Sequence, residues 1–304
     1  MFWNNKKTIV THSGTFHADD VFAVAILSKI LDGNFKLVRT RDKKLFESAD
    51  FVVDVGGTHD AHEERFDHHQ GEGAGTRKNG IAYASAGLVW NKYGEQICGS
   101  QAVASKVDER LIQVVDATDN GLSISKPIFE QVFPYTISDM VASFVPGIFE
   151  DENTADSQFQ KALSFAKNIL DNEIKKAGDQ IYIEAKVKDT ISNGNLDSNT
   201  VVFDEYMPRV PLWIELGKYP NILYAVAPAT IDKSKWKLVA VPKDMSFFTY
   251  RKTLPSAWGA KNGKELQDIA GVADAEFCHK DLFLCIAGSK EGALKLMQKA
   301  VENI

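Results

Sequence analysis

Six of the chain's seven histidines lie within its first 69 residues, where they are interspersed with aspartates. This group comprises His12, His17, Asp19, Asp54, Asp67, His68 and His69. Imidazole and carboxylate groups together are the ligands that proteins offer to Mn, Fe, Co and Zn ions. Two divalent ions about 3.5–4 Å apart activate water and stabilise the displacement of a phosphoester. The residue types and their clustering therefore predict a metal-dependent hydrolase.

The elements around this group indicate how it is positioned. Strand-like and helix-like segments alternate, over Thr8–Thr11, a helix ending near Leu31, Phe35–Arg39, Phe51–Val55, Ile81–Tyr93 and Glu109–Val115. This alternation predicts an α/β fold in which helices cover a mostly parallel sheet. Open α/β sheets bind ligands beyond the carboxyl ends of their strands. His12 and Asp54 each follow a predicted strand, so we expect both at that edge.

The second half of the chain has a different pattern. Thr154–Lys188 carries apolar residues at a spacing of three to four, which predicts a long amphipathic helix. The turn-rich Ser192–Ser198 follows it, and Glu291–Val301 predicts a closing helix. Strand-like runs lie between them, at Val201–Phe203, Pro211–Leu216, Ile222–Ala227, Lys237–Val241, Phe247–Tyr250 and Leu282–Ile286.

These patterns predict three parts. We expect a catalytic, metal-binding α/β domain over 1–153, a connecting helix with its linker over 154–195, and a smaller α+β substrate-binding domain over 196–304. With 304 residues, 44% of them hydrophobic, the chain can bury a large core. The active site is expected in the cleft between the two domains.

Composition narrows the class of protein. No apolar run approaches the roughly 18 residues that span a bilayer, so no membrane association is expected. The net charge of −6 argues against a nonspecific binder of polyanions. Cys98, Cys278 and Cys285 are widely spaced and predict reduced thiols. The start of the chain does not resemble a secretory signal, which favours the cytoplasm or nucleus, with the mitochondrion as an alternative.

Four ordered motifs resemble those of the DHH phosphoesterase superfamily. They are HSGTFHADD from His12, VVD ending at Asp54, DHH over Asp67–His69, and DATDNG from Asp116. The histidine at 17, where the superfamily usually has aspartate, is similar to one branch, the melanocyte proliferating gene family of DHH-type exonucleases. The C-terminal segments FFTYRKTLP and FCHKDLFLCIAG also resemble that branch. The resemblance therefore extends over nearly the whole chain.

The resemblance implies two metal ions and their ligands. One ion would be held by His12, His17 and Asp54, and the other by Asp19, Asp54, His68 and either Asp116 or Asp119. Asp119 is preferred because DNG resembles the usual form of the fourth motif. Mn²⁺ is the first expectation; the imidazole of His17 favours Zn²⁺ or Co²⁺ as alternatives, and Mg²⁺ is a further one. His69 would face the substrate phosphate or assist the leaving group, and Asp67 would orient a histidine.

Several other residues have two interpretations. Gly71–Gly80, with Arg77 and Lys78, is either a phosphate-gripping lid or a surface loop. Arg251 and His279 are expected to contact substrate. Asp20 is interpreted as a helix cap and Asp116 as either a ligand or a supporting carboxylate. His59 and His62 are expected to be exposed, whereas Tyr250 and Trp258, which could stack on bases, are expected in the core.

By resemblance, the implied activity is 3′→5′ exonuclease cleavage of single-stranded nucleic acid, with RNA as the expected substrate. The second domain would select chain ends by blocking a continuous strand. Two alternatives remain open: a small-molecule phosphohydrolase acting on an oligonucleotide, a cyclic dinucleotide or pyrophosphate, and a non-catalytic RNA-binding module. The oligomeric state is left open.

Overall fold

The computed structural model describes residues 6–151, 154–194, 199–246 and 248–303. It divides into two units, Met1–Gly178 and Asp179–Ile304, and the long helix α7 (Ala155–Asn193) contributes to both. The long helix predicted over Thr154–Lys188 is present as α7, and its role as the connection between two domains stays a prediction. The predicted break at Ser192–Ser198 begins inside α7, and residues 195–198 lie outside the described residues.

A five-stranded sheet organises the first unit. Its strands are β1 (Lys7–Thr11), β2 (Phe35–Arg39), β3 (Phe51–Val53), β4 (His59–Asp60) and β5 (Arg65–Phe66), in the order β2-β1-β3-β5-β4. β1 pairs in parallel with both β2 and β3, and β3 pairs in parallel with β5, whereas β4 is antiparallel to β5. The predicted mostly parallel sheet is confirmed. Its parallel strands have their carboxyl ends at one edge.

The helices of the first unit are α1 (Ala18–Ile30), α2 (Lys43–Ser48), α3 (Ser85–Cys98), α4 (Gln101–Val107), α5 (Gln113–Asp119) and α6 (Ile137–Ala142), with a π-helical turn at Asp108–Ile112 between α4 and α5. Every residue over 21–27 of α1 is fully buried. A helix that is apolar on all sides belongs inside the core. The start of α1 is therefore a rigid support for polar side chains.

The second unit contains another five-stranded sheet. Its strands are β6 (Thr200–Val202), β7 (Tyr224–Pro228), β8 (Trp236–Ala240), β9 (Ala275–Cys278) and β10 (Leu284–Ala287), in the order β6-β7-β8-β10-β9. Only β6 and β7 are parallel among these described strands. The helices are α8 (Arg209–Leu216), α9 (Gly263–Ala270) and α10 (Lys290–Glu302). The α+β character predicted for this part is confirmed.

The prediction of a strand at Pro211–Leu216 is wrong, because this segment lies in α8. Leu212 and Leu216 are fully buried and one helical turn apart, so the apolar run fits a helix as well as a strand. Phe247–Tyr250 was also predicted as a strand; residue 247 lies outside the described residues, and Tyr250 forms only an isolated bridge with Pro242. Tertiary packing decides between helix and strand for such short runs.

No helix among the described residues combines the length and the apolar character that crossing a bilayer requires.

Candidate metal centre

The polar residues of the candidate site follow the carboxyl ends of parallel strands. His12 follows β1, Asp54 follows β3, and the segment Asp67–His69 follows β5. Two helices contribute the rest: His17 is the N-cap of α1, with Asp19 in its first turn, and Asp119 ends α5. The edge of the sheet predicted from the sequence therefore gathers these side chains.

Asp54 directs its two carboxylate oxygens at two different histidines. Its Oδ2 lies 3.3 Å from Nε2 of His12, and its Oδ1 lies 3.5 Å from Nε2 of His68. The residue is buried and has a φ of +54°, a left-handed conformation that is uncommon for a residue other than glycine. The hydroxyl of Ser85 donates to Oδ1 at 3.2 Å. This carboxylate can therefore link two ligand groups.

His68 is surrounded by carboxylates. Its Nε2 lies 3.1 Å from Oδ2 of Asp119 and 3.8 Å from Oδ2 of Asp19. This nitrogen is buried and makes no hydrogen bond with the described residues, and the same is true of Oδ2 of Asp20, 3.3 Å from Nε2 of His12. Buried polar atoms are rarely left without a partner. Two such atoms facing ligand-type neighbours fit a site for cations.

Three overlapping sets of side chains have ligand atoms within 4.8 Å of one another: His12 with His17 and Asp54; Asp54 with His68 and His69; and Asp19 with His68 and Asp119. The first and third sets correspond to the two ligand groups that the resemblance implies, with Asp54 lying between them. Nitrogen and carboxylate donors in this mixture suit Mn, Fe, Co or Zn ions. The donor chemistry therefore fits two divalent metal ions.

The start of α3 holds Asp19 in place. Both oxygens of this buried carboxylate accept backbone hydrogen bonds, from Ser85 N at 2.9 Å and from Ala86 N at 2.6 Å. Unpaired N–H groups at a helix start attract anions. Asp20 instead closes the start of α1, where its Oδ1 accepts from His17 N at 2.8 Å, in agreement with the predicted capping role. Asp19 therefore binds the start of α3, whereas its neighbour Asp20 caps the start of α1.

Asp116 is a supporting carboxylate in this structure. Its Oδ1 accepts from Gly87 N at 3.0 Å and its Oδ2 accepts from Arg77. Arg77 also pairs with Asp108 at 2.8 Å, and its side chain is only 7% exposed. Its guanidinium therefore pairs with two internal carboxylates, and the contact of Arg77 with a phosphate stays a prediction. Lys78 is exposed, and its proposed contact with substrate stays a prediction.

The pair of Asp67 and His69 lies beside the ligand groups. Nδ1 of His69 is 2.7 Å from Oδ1 of the buried Asp67, whose other oxygen accepts from Gly57 N at 2.5 Å. The His69 side chain is 62% exposed. Asp67 therefore fixes Nδ1 of the His69 ring. The other ring nitrogen, Nε2, lies on a side chain that solvent can reach.

The carboxylates and histidines change one another's affinity for protons. Burial lowers the pKa of His68, but the carboxylates of Asp119 and Asp54 outweigh it and raise the pKa to about 10. Burial raises the pKa of Asp54, yet His12 and His68 hold it below its usual range. Burial, reinforced by Asp54, raises the pKa of Asp20 to about 7. Without cations, protons therefore neutralise part of the site.

Two predicted substrate contacts of the second unit have structural partners. Arg251 donates to the carbonyl oxygens of Tyr219 at 2.6 Å and Ile222 at 2.7 Å, and also to those of Leu216 and Gly217. Arg251 therefore binds carbonyl oxygens at the end of α8, and its contact with substrate stays a prediction. The half-buried ring of His279 lies 4.4 Å from that of Phe283, and its substrate contact stays a prediction.

Other histidine and aromatic predictions have mixed outcomes. His62 is exposed as predicted, but His59 lies half-buried in β4, where its Nδ1 is 3.2 Å from the Arg65 carbonyl oxygen. Trp258 is in the core, and Tyr250 packs against that core. Sequence reasoning missed Arg41, an exposed residue whose Nη2 lies 3.5 Å from Nδ1 of His12. Its position soon after the strand ending at Arg39 was the available signal.

Comparison with known proteins matches nearly the whole chain to one family. Residues 8–301 match the model described as Uncharacterised protein family (UPF0160), which is named for the MYG1 exonuclease. A MYG1 protein of Caenorhabditis elegans is 30% identical over 97% of this chain and 95% of its own length. The MYG1 exonuclease of Mus musculus is 27% identical over 95% of this chain and 83% of its own length.

A solved structure of RecJ from Thermus thermophilus in complex with Mn²⁺ has a more distant likeness. It is 14% identical with a TM-score of 0.29, covering 98% of this chain and 52% of that chain. At this level of similarity, no residue role is transferred from it.

The close packing around Gly87 gives a stability prediction. A Cβ at this position would lie 1.8 Å from Oδ2 of Asp116 and 2.8 Å from Nη2 of Arg77. Gly87→Ala is therefore expected to lower the free energy of unfolding by about 3 kcal/mol, because overpacking forces this ion pair apart. Gly178→Ala is the matched control, since a Cβ there meets nothing within 4 Å in a helix, and it should stabilise by roughly 0.5–1 kcal/mol. Urea unfolding measures both; equal effects would contradict this packing.

The proton affinities predict how a metal-stripped protein responds to pH. The pKa of Asp20 is about 7 against a usual value of 3.8, and that of His68 is about 10 against 6.5. In both cases the folded state binds more protons than the unfolded state, so the free energy of unfolding falls as pH rises. For His68 the loss occurs between pH 6.5 and 10.

Urea unfolding in EDTA across this pH range tests the sign. The wild type should lose stability as pH rises, with a shallower loss in His68→Ala. Added Mn²⁺ should oppose the loss, because a cation replaces the protons and binds more tightly when they are removed. A stability in EDTA that is constant or rises with pH would contradict these proton affinities.

Proposed function

The chain belongs to the MYG1 exonuclease family (UPF0160), and we propose that it is a metal-dependent hydrolase of phosphodiester bonds that acts as a 3′→5′ exonuclease on single-stranded RNA. The observation that carries this proposal is the position of Asp54, whose two oxygens face His12 and His68. A carboxylate in that position can serve two cations at once. Relatives named as exonucleases support phosphodiester cleavage as the reaction.

In this proposal, the two ligand groups have separate members and one shared residue. His12, His17 and Asp54 would hold one cation; Asp19, His68 and Asp119 would hold the other, and Asp54 would serve both. Asp119 is assigned in preference to Asp116 because the oxygens of Asp116 already accept from Gly87 and Arg77. Two divalent ions held by these residues would supply an activated water and would screen the charge that develops on the phosphoryl oxygens.

The chain's own residues reduce the reorganisation that the reaction needs. The backbone N–H groups of Ser85 and Ala86 hold the Asp19 carboxylate before substrate arrives. Groups that are already oriented cost little free energy to organise at the moment of reaction. The first turn of α3, which contributes no ligand, therefore holds Asp19 of the second ligand group in position.

His69 is assigned a direct contact with the substrate. Nδ1 of His69 donates a hydrogen bond to Asp67, so Nε2 of this exposed ring is the nitrogen available to a phosphodiester. When protonated, Nε2 donates a hydrogen bond to a phosphoryl oxygen or transfers its proton to the leaving oxygen. The exposed Arg41, beside His12, is a candidate for a second contact with the phosphate in place of Arg77.

Mn²⁺ is the proposed metal, with Zn²⁺, Co²⁺ and Mg²⁺ as alternatives. The two groups contain three histidines and three aspartates, a mixture that is richer in nitrogen than Mg²⁺ usually accepts. Comparing the four ions in one hydrolysis assay decides among them.

The activity test uses a single-stranded RNA labelled at its 5′ end, the DNA of the same sequence, and a circular form of the RNA. Linear RNA should yield a ladder that shortens from the 3′ end with Mn²⁺ and is absent in EDTA. His68→Ala and Asp54→Ala should abolish it, and His69→Gln should slow it by about 100-fold or more, because general acid–base catalysis contributes that much. His62→Ala, an exposed histidine that belongs to none of the ligand groups, is the matched control.

Different failures reject different parts of the proposal. Cutting of circular RNA at the linear rate would reject exonuclease action, and faster digestion of DNA would reject RNA as the substrate. Activity that survives in both His68→Ala and Asp54→Ala would reject this site as the catalytic centre.

A further inference from the structure

A pocket separate from the metal-ligand groups lies wholly within the C-terminal unit. It has a volume of about 680 Å³ and is bounded by the start of α8, by Ser246, Phe248 and Tyr250, and by the residues before β10. Its wall includes Arg209, Trp213, Ser246, Phe248, Tyr250 and Phe283. Pockets of this size hold small organic ligands. None of its residues belongs to the metal-ligand groups.

Three of the rings in this pocket, those of Trp213, Tyr250 and Phe283, form a connected aromatic surface. Tyr250 stacks on Phe283, with centroids 5.5 Å apart and planes 21° apart, and Trp213 lies 5.8 Å from Tyr250. Trp213 and Phe283 are buried, so the inner part of the surface is fixed by the core. Phe248 also lines the pocket and is 88% exposed, so its ring is accessible to solvent. The pocket therefore has a rigid aromatic surface and one accessible ring, that of Phe248.

Arg209 brings a positive charge to the same pocket. Its guanidinium lies 4.9 Å from the Trp213 ring centroid and 4.8 Å from that of Phe283. Within the part of the chain that the structure describes, it makes no hydrogen bond or ion pair. Asp281, also in the wall, pairs with Lys280 at 2.7 Å. Contacts with these two rings thus hold the guanidinium of Arg209, with its five N–H donors, beside the pocket.

We propose that this pocket binds one nucleotide, with the base stacked on the surface of Phe248 and Tyr250 and the phosphate paired with Arg209. Aromatic faces stack on any nucleobase, and a guanidinium pairs with a phosphate through two parallel hydrogen bonds. A purely apolar ligand would not use the cation, and a bare anion would not use the rings. A nucleotide uses both.

This inference rests on the proposed function, and it adds a place on the second unit where the nucleic acid is recognised. The nucleotide has two possible sources with the same chemistry: one unit of a longer strand, or a free mononucleotide. A unit of a strand gives longer substrates a higher affinity. A free mononucleotide makes the pocket a site for product.

Calorimetric titration of the full-length protein in EDTA tests the pocket separately from hydrolysis. The probes are adenosine monophosphate, adenosine, inorganic phosphate and a tetra-adenylate. Phe248→Ala should weaken the binding of adenosine monophosphate about tenfold, within the range for loss of one stacked base. Arg209→Gln should weaken it by roughly the same factor, because a hydrogen bond to a charged group is lost. Adenosine should depend on Phe248 and not on Arg209.

The matched controls are Ile231→Ala, which removes an exposed apolar side chain elsewhere in the unit, and Lys264→Gln, which removes an exposed charge. Both should bind the probes as the wild type does. Thermal melting verifies that the pocket variants fold, which the exposure of Phe248 favours.

Each binding result supports one source of the nucleotide or rejects the pocket. Tighter binding of tetra-adenylate than of adenosine monophosphate, sensitive to both variants, supports a unit of a strand; equal or weaker binding with the same sensitivity supports a free mononucleotide. No binding of adenosine monophosphate, or binding unchanged in both variants, overturns the pocket. Since EDTA removes the metal ions, that failure is independent of whether the protein cleaves RNA.

Discussion

The position of one carboxylate, that of Asp54, determines how the rest of the site is arranged. It faces His12 and His68 with different oxygens, so the ends of β1, β3 and β5 must meet at a fixed spacing. The parallel pairing of these strands provides that spacing. The chain turns sharply beyond Asp54 through Gly56 and Gly57, which both have positive φ. The backbone of Gly57 then supports Asp67, so the turn also positions His69.

The second constraint is the negative charge that the site gathers. Burial, together with Asp54 and Asp119, raises the pKa of Asp19 well above its usual value. Helix N–H groups, the Arg77 side chain and protons on histidines each neutralise part of this charge. Cations would do so more completely, because they compete with those protons for the same oxygens and nitrogens. The fold therefore gathers a cluster of acids whose negative charge bound cations would offset.

Much of this arrangement could be predicted from the sequence. His12 and Asp54 follow β-branched runs, and parallel strands bring such positions together, so the edge of the sheet was predictable. The role of Arg77 was not, because its partners Asp108 and Asp116 lie about thirty residues or more away and depend on how α3 packs. The helix at Arg209–Leu216 was also missed, since a short apolar run fits either helix or strand. Contacts that depend on tertiary packing leave no periodic signal in the sequence.

The most direct test of this account is the number of metal ions that the chain retains after equilibration with Mn²⁺ and gel filtration. The account predicts about two ions in the wild type, as in two-metal sites generally, and about one in His17→Ala, which removes a ligand of a single group. Asp54→Ala should lose both ions, because its carboxylate belongs to both groups, whereas His62→Ala should retain the wild-type number. If Asp54→Ala retains as many ions as the wild type, or loses only one, the shared carboxylate is not the centre of the site.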